Sequence, residues 1–254
     1  MIQKTLFENH LTPAINTSEI PVNRGDALTY LAGEWLVLMP QKALYWPRMK
    51  TLFAADVHVG KGTAFRAQGV ALPAGSTGDS LARLSTCIEK TQATRLILLG
   101  DFLHNKDSTK SSIQVKLEAW RAQHQALTVM LIRGNHDLKA GDPAASLRID
   151  CVAEGELCAP FVLNHHPMPS AAGYALAGHV HPAVYLTGRA GESARLPCFW
   201  FGQEVGLLPS FGAFTGSHVI KPKRGDHVFA VADTEVVALH EISVKSGRLF
   251  KPND

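Results

Sequence analysis

Three short apolar runs, each followed at once by polar residues, constrain the fold of this chain more than any other feature. The runs cover residues 51–55, 95–99 and 127–132, and their aliphatic and β-branched residues predict buried strands. Between the runs, apolar residues recur at helical spacing from about residue 79 and again over residues 112–126. Strand, helix, strand, helix, strand predicts a parallel sheet with right-handed crossovers.

Each run leads directly into side chains that can bind metal ions. The clusters are Asp56-Val57-His58, Gly100-Asp101 and Gly134-Asn135-His136-Asp137. Residues 161–163 and 174–177 end in the same way, at Asn164-His165-His166-Pro167 and Gly178-His179-Val180-His181. Any one cluster alone is more simply a turn after a strand. Because functional sites of open α/β sheets lie outside the carboxyl ends of the strands, all five can form one site.

Length and composition set broad limits on the kind of protein. The chain has 254 residues and 46% hydrophobic content, which predicts one domain over residues 1–254. A net charge of +3 and a pI near 8.7 are mildly basic and decide neither for nor against nucleic acid as a partner.

The cysteines and the apolar stretches predict the compartment. Four cysteines without a C-x-x-C pair argue against a disulfide framework or a cysteine-zinc site, and they fit a reducing compartment. The N-terminus lacks the pattern of a signal peptide. No apolar stretch approaches the roughly eighteen residues of a membrane span. We therefore expect a cytoplasmic protein that makes no contact with a membrane.

The remaining segments are predicted by shorter patterns. Residues 1–26 are expected to form an N-terminal arm, and residues 35–46 a hairpin around Pro40 and Gln41. The stretch 60–63 lacks the full phosphate-loop pattern and is predicted to be a flexible loop beside the active site. Short strand-like pieces over residues 196–250 predict a second, antiparallel sheet.

Carboxylate, imidazole and amide ligands together suit particular metals. They favour Mn²⁺, Fe or Zn²⁺ over Ca²⁺, and the absence of cysteine among them argues against a site for soft metals. Two such ions about 3.5 to 4 Å apart can clamp a phosphate group and stabilise both its attacking and its leaving oxygen. One carboxylate must then bridge the two ions.

The ordered set of clusters over residues 51–182 resembles the calcineurin-like metallophosphoesterase superfamily. Residues 208–216, with the sequence LPSFGAFTG, resemble a narrower branch, the bacterial ligase-associated DNA damage response endonucleases. The resemblance implies an α/β fold, a two-sheet β-sandwich flanked by helices. It also implies a phosphodiesterase that cleaves DNA in repair, in functional association with a DNA ligase and a helicase.

The resemblance also implies roles for individual residues. Two divalent metal ions are expected, with Mn²⁺ preferred and Fe or Zn²⁺ as alternatives. The first metal ion would be held by Asp56, His58, Asp101 and His181. The second would be held by Asp101, Asn135, His165 and His179, with Asp101 as the bridge. His136 would be the catalytic histidine that does not bind metal, and Asp137 would orient it.

The sequence does not decide which residues contact the substrate, and it departs from the family pattern at two places. Arg133, Asn135 and His166 are the candidate substrate-binding residues. The family commonly has Gly-Asp-x-x-Asp, whereas this chain has histidine at position 104, so a supporting carboxylate is either lost or replaced by His104. The family register favours His165 over His166 as the ligand. The other histidines are interpreted as hydrogen-bonding residues: His104, His124, His218 and His240.

Two rival functions are compatible with the same ligands. One is a phosphatase or pyrophosphatase for small nucleotides or other small substrates, which can share every metal ligand with a nuclease. The other is a metal-binding scaffold without turnover, which would be expected to lack a ligand or His136. Basic residues 221–224 and 245–251 are available for phosphate contacts, and a homodimer would widen that basic face.

Overall fold

The structure is a computed structural model that describes residues 20–67, 69, 76–106, 111–187 and 192–239. In this part of the chain two mixed β-sheets pack face to face, with helices on the outer side of the first sheet. This arrangement confirms the predicted α/β two-sheet sandwich. The arm residues 1–19 and the predicted strand residues 240–250 lie outside the described part.

The first sheet has seven strands whose spatial order equals their order in the chain. The strands are β1 (Ala27–Leu31), β2 (Glu34–Leu38), β3 (Leu44–Trp46), β4 (Thr51–Ala54), β5 (Arg95–Leu99), β6 (Thr128–Ile132) and β7 (Ile149–Val152). Neighbours from β1 to β4 are antiparallel, which includes the predicted hairpin, and neighbours from β4 to β7 are parallel. The predicted strand-helix pattern of a parallel sheet is therefore confirmed.

Among the described residues, four α-helices connect or follow these strands. They are α1 (Lys61–Ala67), α2 (Ser76–Thr91), α3 (Ser111–Gln123) and α4 (Asn135–Ala140). Helix α2 joins β4 to β5 and α3 joins β5 to β6, and both bury apolar side chains such as Leu84 and Leu117 against the sheet. Helix α2 begins about one turn before the predicted start, and α3 ends three residues before its predicted end.

Two segments predicted as loops are helical. Residues 61–63 open α1 rather than a flexible loop, because Gly60 turns the chain with a φ of +90° and the amide of Lys61 donates to the carbonyl of His58. The turn predicted at residues 134–137 is the N-terminus of α4, where Gly134 is the N-cap. A helix of six residues gives too short a periodic pattern to be recognised in sequence.

The second sheet has nine strands and begins earlier than predicted. The strands are β8 (Glu156–Cys158), β9 (Phe161–Leu163), β10 (Tyr174–Ala177), β11 (Pro182–Thr187), β12 (Ser193–Phe201), β13 (Val205–Leu207), β14 (His218–Val219), β15 (His227–Ala232) and β16 (Glu235–Leu239). Seven lie in the order β14-β11-β12-β13-β10-β9-β8, and β15 pairs with β12 and β16.

The expectation of an antiparallel second sheet is corrected in its centre. Strand β10 pairs in parallel with both β9 and β13, while most of the outer pairs are antiparallel. The apolar runs at residues 161–163 and 174–177 therefore belong to the second sheet. A short apolar run predicts a buried strand but carries no information about which layer it joins.

The interior between the sheets is built from large apolar side chains of both layers. Phe53, Ile97 and Ile132 from the first sheet meet Phe161 and Phe199 from the second, and all are buried. Trp46 and Phe161 make an edge-to-face contact across this interface, with ring centroids 5.1 Å apart and planes at 84°. This interface fixes the distance between strand ends that come from different sheets.

Two further expectations concern thiols and membranes. All four cysteines are free; Cys87 and Cys198 are buried, and Cys151 and Cys158 are partly buried. Among the described residues, no helix has both the length and the apolar character needed to cross a membrane.

Replacing Phe161 with alanine should lower the free energy of unfolding by about 3 to 5 kcal/mol, because the substitution opens a cavity between the sheets. Urea denaturation measures the change. The matched control is Leu157→Ala on the neighbouring strand β8, where the side chain is 56% exposed and the expected change is within about 0.5 kcal/mol. A loss of less than about 1 kcal/mol for Phe161→Ala would contradict close packing at this interface.

Candidate metal centre

Five strand ends, three from the first sheet and two from the second, bring the predicted polar clusters to one place. Asp56 and Asp101 each follow their strands, β4 and β5, by two residues, and Asn135 begins α4 after β6. His165 and His179 lie two residues beyond β9 and β10. The parallel pairing within each sheet sets these ends side by side, so the second sheet supplies ligands as well as the first.

The candidate ligands form two clusters that share one residue. The first cluster consists of Asp56, His58, Asp101 and His181, and the second of Asp101, Asn135, His165 and His179. In the first cluster, potential ligand atoms of Asp56, His58 and His181 all lie within 4.8 Å of one another. His181 Nε2 is 3.3 Å from Asp56 Oδ1, and His58 Nε2 is 3.9 Å from Asp101 Oδ2.

The second cluster converges on a single ring nitrogen. His165 Nε2 lies 3.1 Å from Asn135 Oδ1, 3.0 Å from His179 Nδ1 and 3.5 Å from Asp101 Oδ1. His165 is fully buried, whereas His179 is exposed, so this cluster reaches from the interior to the surface. A buried centre with one accessible side is the arrangement that a substrate phosphate needs.

Asp101 lies between the two clusters. Its Oδ2 faces His58 and its Oδ1 faces His165. The Oδ1 atom also accepts a hydrogen bond of 2.8 Å from the backbone N–H of His136, which fixes the orientation of the carboxylate. One carboxylate with an oxygen toward each cluster has the geometry required to bridge two metal ions.

Backbone carbonyls set the protonation of three of the histidine rings. His165 Nδ1 lies 3.1 Å from the carbonyl of Leu99, and His181 Nδ1 lies 2.9 Å from the carbonyl of Gly216. A carbonyl can only accept, so each Nδ1 carries the hydrogen and each Nε2 presents its lone pair to its cluster. His136 follows the same rule, because its Nδ1 lies 2.6 Å from the carbonyl of His104.

The electrostatics of the first cluster favour a metal cation. Asp56 Oδ1 and His58 Nδ1 are buried and have no hydrogen-bond partner among the described residues. Burial, reinforced by the charge of Lys61, lowers the pKa of His58 to about 2, so this ring cannot supply a compensating proton. Burial lowers the pKa of His181, but the hydrogen bond and charge of the Asp56 carboxylate, together with the hydrogen bond to the Gly216 carbonyl, raise it overall. The residues present fit two divalent ions with mixed oxygen and nitrogen ligands.

The backbone at the candidate ligands adopts an uncommon conformation. Asp56, His58, Asp101, His179 and His181 have φ values of 55°, 50°, 50°, 65° and 51°. Positive φ occurs in only a few per cent of residues other than glycine, and Asp and His tolerate it better than most. Such conformations persist when the surrounding structure enforces them, and they concentrate at functional sites. Conventional sequence patterns carry no signal for this feature.

Four glycines allow the chain to pass close to the ligands. A Cβ atom at Gly100 would overlap the ring of His165, and one at Gly134 would overlap the carboxylate of Asp101. At Gly178 a Cβ would lie 2.5 Å from Asp56 Oδ2, and at Gly212 it would lie 2.5 Å from the carbonyl oxygen of Val57. Glycine is required at all four positions by space, and at Gly100, which has a φ of +78°, also by conformation.

The expectation that Asp137 orients His136 is corrected by the hydrogen bonds. The Asp137 carboxylate accepts the backbone N–H groups of Gly134 at 3.0 Å and Leu103 at 2.8 Å, so it ties the start of α4 to the loop after β5. Burial raises the pKa of Asp137 to about 6 although these hydrogen bonds lower it. The carbonyl of His104 holds the ring of His136 instead, and the two imidazole rings are stacked with centroids 5.1 Å apart.

The three candidate substrate-binding residues differ in their surroundings. Asn135 lies in the second cluster. Arg133 makes a two-pronged ion pair with Asp142 at 2.7 and 2.8 Å, so its guanidinium is already engaged at the surface. The ring of His166 is 3.1 Å from the Glu154 carboxylate, which also accepts the backbone N–H groups of His165 and His166. The assignment of these residues to substrate stays a prediction.

Several contributors were not predicted from the sequence. Ser210 Oγ and the amide of Gly212 both donate to the carbonyl of Asp56, at 3.0 and 2.9 Å. The Arg83 guanidinium of α2 lies over the Phe211 ring at 4.4 Å and also donates to its carbonyl. Residues 208–216 therefore support the first cluster, although their sequence contains none of the usual metal ligands.

Lys61 adds a positive charge to the centre. Its pKa is lowered by burial, while the carboxylates of Asp56 and Asp101 act in the opposite direction. The side chain is thus close enough to the two carboxylates to interact with them. Lys61 is the first residue of α1, a helix that the sequence pattern did not predict.

Gly134→Ala should displace Asp101 and weaken binding at both clusters at least about tenfold, with a loss of about 1 to 3 kcal/mol in stability from overpacking. Gly134 has a φ of −90°, so the effect is steric and not conformational. Titration with Mn²⁺ measures it. The control is Gly78→Ala in α2, where nothing lies within 4 Å of the added Cβ and about 0.5 to 1 kcal/mol of stabilisation is expected. Unchanged Mn²⁺ binding in Gly134→Ala would contradict the role of Asp101.

Comparison with known proteins agrees with this geometry. The family model for calcineurin-like phosphoesterase matches residues 49–179, which include most of the clustered residues. Among solved structures, the chain is similar to the Pseudomonas putida nuclease MPE, with 40% sequence identity and a TM-score of 0.73 over 84% of this chain and 100% of that one. Comparison with curated protein sequences gives no significant match.

A second solved structure is much less similar. The phosphoesterase Yfce from E. coli is 16% identical, covers 74% of this chain and 96% of its own, and has a TM-score of 0.38, which supports no argument. The family model spans more than half of the chain, and the metal-ligand types converge as such an enzyme requires. This protein belongs to the calcineurin-like phosphoesterase family and is a metal-dependent phosphoester hydrolase.

Proposed function

We propose that this protein is a phosphodiesterase that uses two metal ions and cleaves DNA as an endonuclease. The observation that carries the proposal is the Asp101 carboxylate, which directs one oxygen toward each ligand cluster. The 40% identity to a nuclease, over the whole length of that chain, supports the choice of a nucleic acid substrate. Mn²⁺ is the proposed metal, with Fe or Zn²⁺ as alternatives.

The residues of the two clusters would bind the metal ions, and Lys61 would help to bind the phosphate group. When bound, two divalent ions supply Lewis acid chemistry, which polarises the phosphoryl group and activates water. One ion would be held by Asp56, His58 and His181. The other ion would be held by Asn135, His165 and His179. The Asp101 carboxylate would bind both ions. Lys61 would add positive charge where the negative charge of the phosphate group must be bound.

His136 is the proposed general acid. Its Nδ1–H is held by the carbonyl of His104, which leaves Nε2 as the atom that exchanges a proton. Nε2 lies 3.9 Å from Asp101 Oδ2, beside the proposed bridge, and the side chain is about one-third exposed. A proton on Nε2 could therefore be delivered to the leaving oxygen of a substrate bound at the two clusters.

The biological setting is also a proposal. The likeness of residues 208–216 to the ligase-associated branch favours a role in DNA repair, in the cytoplasm and in functional association with a DNA ligase and a helicase. A homodimer would widen the basic face around residues 221–224. The scaffold alternative is disfavoured because every candidate ligand and His136 are present. A small-substrate phosphatase remains the competing function, and the substrate decides between the two.

His136→Ala should retain bound metal and lose about 100-fold or more in turnover, the usual scale for a positioned proton-transfer group. The loss should shrink for a nitrophenyl ester, because nitrophenolate leaves without a proton. Metal content and turnover on esters with leaving groups of different pKa measure both effects. His124→Ala is the control, because His124 lies one residue beyond α3 and its ring is hydrogen-bonded to Ser85. An equal loss on all leaving groups would contradict the general acid role.

The choice of substrate can be tested with a panel in the presence of Mn²⁺. An aryl phosphate, an aryl phosphodiester, a cyclic nucleotide, and single- and double-stranded DNA are compared at equal enzyme concentration. We expect diesters, including DNA, to be cleaved faster than the monoester. The panel is repeated with Fe and Zn²⁺. Fast cleavage of the aryl monoester, with the aryl phosphodiester, the cyclic nucleotide and both forms of DNA left intact under every metal, would reject the nuclease and favour the small-substrate phosphatase.

A further inference from the structure

Residues 210–216, here called the tail loop, border the first cluster and hold an aromatic side chain at the surface. The loop is fixed at both ends. Ser210 Oγ and the amide of Gly212 donate to the carbonyl of Asp56, and the carbonyl of Gly216 accepts from His181 Nδ1. Both anchors involve residues proposed to hold the same metal ion. The middle of the loop must therefore lie near the first cluster.

Phe214 lies midway between the anchors. It is two residues from Gly212 and two from Gly216, so its Cα is at most about 7.6 Å from the Cα of either residue. Arg83 steadies the start of the loop by its contact with Phe211. Phe214 is thus carried on a supported backbone a short distance from the metal centre.

Two properties of Phe214 are unfavourable for the stability of the fold. Its side chain is 43% exposed, although burial of a phenyl ring would stabilise the protein. Its φ is +57°, a conformation that is an outlier for a bulky residue and costs free energy. The backbone therefore keeps a large, partly exposed aromatic side chain on a loop anchored to the metal centre, at a cost to stability.

Other exposed apolar side chains lie close to the centre in sequence. Leu138 is two residues after His136, and Met168 is three residues after His165; both are about half exposed or more. Their backbones are held, because the amide of Leu138 donates to the carbonyl of Gly134 and that of Met168 to the carbonyl of His166. Apolar surface beside a phosphate-binding centre is suited to the flat faces of nucleobases.

We propose that Phe214 is a stacking platform for a nucleobase next to the phosphodiester bond that is cleaved. Every base presents a π-face, so stacking of this kind tolerates any sequence. A base in a duplex is already stacked on its neighbours, so the platform selects single-stranded or unpaired DNA. The inference rests on the proposed nuclease function and specifies the substrate class of that site.

The charged residues that follow the tail loop are compatible with a bound strand of DNA. Strand β14 follows the tail loop, runs parallel to β11 and leads to three exposed basic residues: Lys221, Lys223 and Arg224. Because β11 begins directly after His181, β14 leads away from the metal centre. A single strand of DNA with one base stacked on Phe214 could place its neighbouring phosphates along these basic side chains.

The test compares a single-stranded oligonucleotide with the same strand carrying abasic nucleotides on both sides of the scissile bond. The proteins are wild type, Phe214→Ala, Phe214→Trp and Tyr185→Ala. Tyr185 is the matched control, because it is an aromatic residue on β11 with 42% exposure. Cleavage is measured with Mn²⁺, and binding of the labelled strand is measured by fluorescence anisotropy in the presence of a chelator.

Phe214→Ala should lower kcat/KM on the normal strand about tenfold, mainly through KM, and should weaken strand binding by a similar factor. It should have no effect on the abasic strand, Phe214→Trp should restore both quantities, and Tyr185→Ala should resemble wild type. Equal cleavage and binding of both strands by wild type and Phe214→Ala would overturn the proposal while leaving the nuclease function intact.

If wild type binds the normal strand through Phe214 but cleaves no DNA, the nuclease function fails while the stacking site stands. If wild type neither binds nor cleaves the strand, both proposals are wrong. Faster cleavage of a duplex than of the single strand would also contradict the platform, because the bases of a duplex are not available to Phe214.

Discussion

The position of the Asp101 carboxylate is the interaction on which the rest of the centre depends. Its oxygens face His58 on one side and His165 on the other, and the N–H group of His136 fixes their orientation. His165 belongs to the second sheet, so this one side chain meets ligands from both layers of the sandwich. The packing between the sheets thereby controls the geometry of the centre, because a shift of one layer would separate the clusters.

The unfavourable backbone conformations at this centre are supported by particular residues. Five candidate ligands have positive φ, and four glycines leave space for ligand side chains or for the backbone beside them. The carbonyls of Leu99 and Gly216 fix the rings of His165 and His181, and the Glu154 carboxylate accepts the backbone N–H groups of His165 and His166. An isolated polar cluster would relax away from such strain. In this protein the surrounding hydrogen bonds keep the ligand side chains oriented toward their clusters.

Much of the fold and of the candidate centre could be predicted from the sequence, because apolar runs and the residues after them are local patterns. The parallel strands β4, β5 and β6 were predicted in this way. The layer to which β9 and β10 belong was not, because it depends on contacts between distant segments. The family resemblance implied that Asp137 orients His136, whereas the carbonyl of His104 holds that ring in the fold. Arg83 acts through tertiary contacts with Phe211 that have no sequence signature.

The most direct test of the shared carboxylate is the number of metal ions bound per chain. Elemental analysis and Mn²⁺ titration are carried out on wild type, Asp101→Ala and the control Asp150→Ala, whose carboxylate is exposed on β7. Two ions are expected for wild type and for the control, and weakened binding of both ions for Asp101→Ala. Two ions bound to Asp101→Ala with unchanged affinity would contradict the account.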